Sequence, residues 1–156
     1  MGFFVSWNWM DKRDIEELLT EDIASLGCNL WGIELSGKQL SRTLRVFIDK
    51  DKGISIEDCE KVSRHICKVL ETENNFERNF VLEVSSPGIK RKFFNENQYA
   101  GYLKQRLKIR FLEDEGSFVT KRGTLEEIKE EGLLLKSGKE DIYIKFNTIE
   151  KANLEN

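Results

Sequence analysis

One proline serves the whole chain of 156 residues, and it stands where a strand has to stop. Phe80, Leu82 and Val84 alternate with Val81, Glu83 and Ser85, the period-two pattern of a half-buried strand. Pro87 then fixes φ, removes a backbone donor and biases Ser86 away from helix, so the ladder ends there. Gly88 can take the positive φ that a turn after proline often requires. The quartet Ser85, Ser86, Pro87 and Gly88 therefore predicts a joint between two folding units, and three basic side chains, Lys90, Arg91 and Lys92, follow it directly.

Composition agrees with two small cores better than with one thick one. Hydrophobic residues are 39% and charged residues 34% of the chain, a balance expected where much of each unit is surface. The formal charge of −3 is unevenly spread: residues 1–86 carry −5 and residues 87–156 carry +2. Between Lys90 and Arg110 stand seven basic residues (Lys90, Arg91, Lys92, Lys104, Arg106, Lys108, Arg110) and one acid, Glu96. An acidic front joined to a basic stretch suggests a polyanion or ribonucleoprotein surface near the joint. Cys28, Cys59 and Cys67 are odd in number and lack metal-ligand spacing, which reads as reduced thiols of a cytosolic protein. Residues 1–10 lack the basic start of a secretory signal and are expected to be an extension outside the fold. No apolar run approaches membrane-spanning length.

Residues 11–86 read as an α+β domain in the order α-β-β-α-β, two helices on one three-stranded sheet. Ile15, Leu18, Leu19, Ile23 and Leu26 recur at helical spacing between Asp11, a plausible N-cap, and Gly27, a plausible C′ residue. Trp31, Ile33 and Leu35, a polar turn over residues 36–41, then Leu44, Val46 and Ile48 predict an antiparallel hairpin. Ser55 and Asp58 suit a capping box, with Asp58 reaching back less well than a glutamate would. Cys59, Val62, Ile66, Val69 and Leu70 form the inner stripe of the second helix. Asp49, Asp51 and Gly53 resemble a calcium-loop fragment but lack the terminal glutamate, and read as a charged turn. His65, the only histidine, has no adjacent nucleophile and reads as boundary packing.

Residues 87–105 form the joint and an aromatic connector. Phe93, Phe94, Tyr99 and Tyr102 are expected to plug the base of the next domain rather than stack on bases, with a short helix over residues 97–103. Residues 106–156 then read as a small all-β domain. Leu107, Ile109 and Phe111 alternate with Lys108 and Arg110; Gly123 marks a bend or bulge. Four or five short strands with glycine turns predict an SH3-like or Sm-like barrel, with Lys108 and Arg110 projecting outward. Arg91 can fork onto a phosphate or carboxylate, or equally tie the two domains together. Lys90, Arg91, Lys92, Lys108 and Arg110 are the candidate RNA- or ribosome-binding residues. No catalytic residue, metal ligand or cofactor site is expected, and a stand-alone RNA-binding module is the alternative function.

The stretch Leu82-Glu83-Val84-Ser85-Ser86-Pro87-Gly88, with Arg91 three residues on, resembles the signature of the bacterial ribosome maturation factor RimP family. Residues 44–50 (Leu-Arg-Val-Phe-Ile-Asp-Lys), the helix opening at 57–64, Gly123-Thr124-Leu125 and the closing run 149–154 are similar to it as well. The chain departs from the family's common acid at Lys90 and proline at Lys92, which makes this joint more basic. The resemblance implies a non-enzymatic, cytoplasmic assembly factor, monomeric in isolation and not membrane-bound. Its implied partner is the immature small (30S) ribosomal subunit, including 16S rRNA and the small-subunit protein beside the decoding centre.

Overall fold

The computed structural model describes residues 12–38, 41–72 and 80–155. The expected extension over residues 1–10, the Asp11 cap and the loop of residues 73–79 lie outside them. The chain divides into two compact units, with the boundary between Pro87 and Gly88.

In the first unit, helix α1 (Lys12–Ser25) buries Ile15, Leu19 and Ile23. Gly27 ends it at φ +85°; its N–H donates to Ala24 O and the Cys28 N–H to Ile23 O, a Schellman closure. Strand β1 (Asn29–Lys38) pairs antiparallel with β2 (Ser41–Asp49). This pairing continues through Gly37 and Arg42 to Lys38 and Ser41, so residues 36–38, expected in the turn, are strand. A register shift between Leu30 and Gly32 leaves Trp31 as the extra residue. Leu30, rather than Trp31, therefore packs on the core beside Ile33.

Helix α2 (Ile56–Thr72) is the crossover from β2 to β3 (Phe80–Ser85), which pairs parallel with β2. Its start is a reciprocal box: Ser55 Oγ accepts from the Asp58 N–H at 3.1 Å, and the Ser55 N–H donates to Asp58 Oδ2 at 3.0 Å. The aspartate thus reaches back as a glutamate would, and Lys50 Nζ donates to the same carboxylate at 3.2 Å. Both helices bury their stripes in one cluster with Ile33, Leu44, Val46 and Ile48. On the other face Arg45 pairs with Glu83 at 2.7 Å.

In the second unit the connector is a 3-10 helix (Glu96–Tyr102) capped by Asn95, whose side chain accepts from the Asn97 N–H, with Gln98 returning the box. Strands β4 (Arg106–Leu112), β5 (Phe118–Ile128), β6 (Gly132–Ser137), β7 (Glu140–Lys145) and β8 (Ile149–Leu154) form one antiparallel sheet in the order β7-β6-β5-β4-β8. The expected closed barrel does not form: among the described residues no ladder joins β7 to β8. The outer edge of β8 is taken by the segment after the joint instead. The Phe93 N–H donates to Ala152 O at 2.9 Å, the Leu154 N–H to Arg91 O at 2.8 Å, and Lys92 bridges Asn153. A single 3-10 turn, Phe146–Thr148, carries the chain from β7 to β8. The bulge in β5 falls between Leu125 and Glu127, not at Gly123, and Gly123 serves close approach. A Cβ there would lie 2.5 Å from Lys136 O.

Candidate nucleic-acid interface

Strand β4 sorts its side chains by parity: Leu107, Ile109 and Phe111 are buried, whereas Arg106, Lys108 and Arg110 are exposed. Residues opposite one another in an antiparallel pair share a face, so the register reads off what stands beside each cation. Lys108 faces Arg122 on β5 and Asn153 on β8, and Asn153 in turn bridges Lys92. Lys92, Asn153, Lys108 and Arg122 thus form one row across four adjacent segments, about 14 Å long at the usual strand spacing. Arg110 faces Thr120 and Lys151 in the next row, and Arg106 faces Thr124 on the far side. Six cations (Lys92, Arg106, Lys108, Arg110, Arg122, Lys151) share this outward face.

Two carboxylates interrupt it. Glu150 accepts from Arg110 Nε at 3.1 Å, and Glu155 from Arg122 Nε at 2.9 Å with Arg106 Nε at 3.5 Å. All three arginines are about half exposed in these pairs, where such contacts contribute at most about 1 kcal/mol. Lys108 and Lys151 have no ion pair among the described residues. At one end Leu112 faces Phe118, both exposed, and the Arg110 guanidinium lies 4.9 Å from the Phe118 ring centre. Lys92 Nζ lies 5.4 Å from the ring centre of Phe94.

Of the residues singled out from sequence, Lys92, Lys108 and Arg110 come together here. Lys90 is exposed in the turn after Gly88, and its carbonyl accepts from Asn153 Nδ2 at 3.2 Å. Arg91 points elsewhere. Its guanidinium lies over the Tyr102 ring, 5.7 Å from its centre, and Phe93 meets the same ring edge-on; its Nε is 3.4 Å from Gly88 O. Arg122 and Lys151 were not singled out, although the outward alternation of β5 and the run 149–154 carried the signal. Ser85 ends β3 opposite Phe47, and Gly88 takes φ +83° with open space where a Cβ would stand.

The aromatic connector acts as a plug. Phe93 and Tyr99 are buried and stacked at 4.6 Å, and Tyr99 stacks on Phe146 at 5.8 Å. Burial pushes the Tyr99 phenol well above its ordinary range. Behind the basic face, an open groove of about 420 Å³ is lined by Phe111, Lys121, Ile142 and Tyr143 among others. None of the candidate binding residues Lys90, Arg91, Lys92, Lys108 and Arg110 lines it. In the first unit His65 Nε2 lies 3.5 Å from Asp22 Oδ1 on the neighbouring helix. Burial raises the Cys28 and Cys59 thiols, so neither is a ready thiolate. Among the described residues no group of three His, Cys, Asp or Glu side chains is placed to hold a metal, and no helix is long and apolar enough to cross a membrane.

The architecture defines a class: a two-unit protein with an α+β front on an acidic sequence, followed by a small antiparallel sheet with a cationic outer face. Residues 18–90 match the family model of the RimP N-terminal domain, from within α1 through the turn after Pro87. The match covers 73 of the 156 residues, so the first unit is similar to the N-terminal domain of the RimP family.

Proposed function

We propose that this protein is a non-enzymatic, cytoplasmic assembly factor for the small ribosomal subunit. It binds immature 30S particles through 16S rRNA and through the small-subunit protein beside the decoding centre. The RimP N-terminal domain match carries the ribosomal part of this reading. The cationic face of the second unit supports the RNA part. Lys108, Arg110, Arg122 and Lys151 project from a rigid sheet whose inner side is core, so they meet phosphate without reordering backbone. Lys92 belongs to this contact, Lys90 flanks it from the turn, and Arg91 supports the joint by lying on Tyr102. The four residues Ser85, Ser86, Pro87 and Gly88 link the units.

The test is sedimentation of the chain with ribosomal particles on a sucrose gradient at low salt. It is expected with immature small subunits, and Lys108→Ala with Arg110→Ala is expected to weaken that association while leaving the thermal melt unchanged. Recovery solely in the soluble pool would overturn the ribosomal reading. Salt-sensitive binding to naked RNA with no subunit association would instead favour the stand-alone RNA-binding module.

A further inference from the structure

We infer that the cationic face of the second unit takes unpaired RNA, with a base stacked at its Phe118 end, rather than an RNA duplex. This rests on the reading of that face as an RNA contact. Two aromatic rings meet cations of this field: Arg110 over Phe118 at 4.9 Å and Lys92 over Phe94 at 5.4 Å. Phe118 is 45% exposed although it belongs to a strand with a core to join, and its cross-strand partner Leu112 is 38% exposed. The rings that plug the unit, Phe93 and Tyr99, are 6% and 4% exposed, so Phe118 is not one of them.

Charge fixes how a strand would lie. The row Lys92–Asn153–Lys108–Arg122 is the phosphate track, and Arg110 with Lys151 forms a second row one step toward Phe118. Beyond Phe118 the hairpin turn carries Glu113, Asp114 and Glu115, with the Glu113 N–H donating to Ser117 O at 2.9 Å. Those acids repel phosphate, so the backbone follows the cationic rows and a base, which carries no charge, reaches the ring. A duplex has no free base face to offer, whereas an unpaired base stacks on an exposed ring whatever its identity.

The experiment is fluorescence anisotropy on the full chain, with a short fluorescein-labelled oligouridylate and a labelled RNA duplex of matched length at one salt concentration. The parent is expected to prefer the single strand about fivefold or more, and Phe118→Ala to erase that preference by weakening the single strand alone, as loss of one stacked base would. Phe118→Leu keeps apolar bulk without the ring and is expected to behave as Phe118→Ala, which separates stacking from folding. Lys108→Ala is expected to weaken both probes alike. Equal affinity of the parent for the two probes, or an equal loss on both with Phe118→Ala, would overturn the inference. Failure to bind either probe while still sedimenting with small subunits would overturn it and leave the ribosomal function standing. A clear single-strand preference without subunit association would do the reverse.

Discussion

Replacing Gly123 by alanine tests the packing that holds the basic face flat. Gly123 is buried in β5, at the point where the strand leaves β4 to pair with β6. The added Cβ would lie 2.5 Å from Lys136 O, 2.9 Å from Lys136 C and 3.0 Å from Leu135 Cγ. Ordinary contact begins near 3.4 Å, so roughly 0.9 Å of overlap falls on backbone that cannot rotate away. Relief requires β5 and β6 to part, an overpacking cost of about 1–3 kcal/mol. Alanine offsets about 0.4–1 kcal/mol by restricting the unfolded chain. The net expectation is a loss of roughly 1–2 kcal/mol in the second unit. With a urea slope of about 1 kcal/mol/M for so small a unit, its midpoint should fall by about 1–2 M. Hydrogen exchange should rise in peptides covering residues 118–137 and stay unchanged in residues 41–72. The Arg106–Leu112 register with Phe118–Thr124 lies on the other edge of β5, so RNA binding below the transition should hold within about twofold. Gly101→Ala, with nothing within 4 Å of the new methyl, is the control. A Gly123→Ala protein within about 0.5 kcal/mol of the parent would refute the close-approach argument.

Other outcomes follow from charge and burial. Asp58 is held below the ordinary carboxylate range by the Ser55 N–H, with Lys50 and the Ser55 hydroxyl adding to it. Its lowered folded pKa means that its contribution is present above the ordinary value of 3.8 and is lost as pH falls through the folded value. Asp58→Asn should therefore flatten the acid limb of the stability curve, measured by thermal melts across acidic pH. Tyr99 has the opposite sense: burial raises its phenol above 10.0, so stability is full below that pH and declines above it. In an ultraviolet alkaline titration Tyr99 should ionise only above the ordinary phenol range, and Tyr99→Phe should retain stability at high pH. Glu150→Gln and Glu155→Gln each release arginine from an intramolecular carboxylate; both should tighten oligouridylate binding several-fold at low salt, and weaker binding would mean that these pairs shape the face.

Element order and most inward stripes were legible in the sequence because they follow periodicity alone. Leu44, Val46 and Ile48 alternate and are all buried, as are Leu107, Ile109 and Phe111. What periodicity could not show was an insertion that shifts parity: Trp31 interrupts the β1–β2 register, and the residue that packs inward changes with it. Gly123 was likewise recognisable as special, but the sequence alone could not distinguish a bulge from a close approach.

The candidate site shows the same limit at longer range. Lys108 and Arg110 announce themselves by local alternation, whereas Arg122 and Lys151 join them only through cross-strand register. Lys92 joins because β8 pairs with the segment leaving the joint. That pairing also accounts for the open sheet. The edge of β8 has two uses, closing onto β7 or accepting the residues after Pro87-Gly88, and it can satisfy its backbone groups with one of them. Taking the latter gives up the closed barrel, and in exchange it anchors Arg91–Phe93 to the second unit and sets Lys92 in line with Lys108 and Arg122. Lys92 is therefore not an isolated surface charge, because the fold sets it at the end of the row that holds Asn153, Lys108 and Arg122.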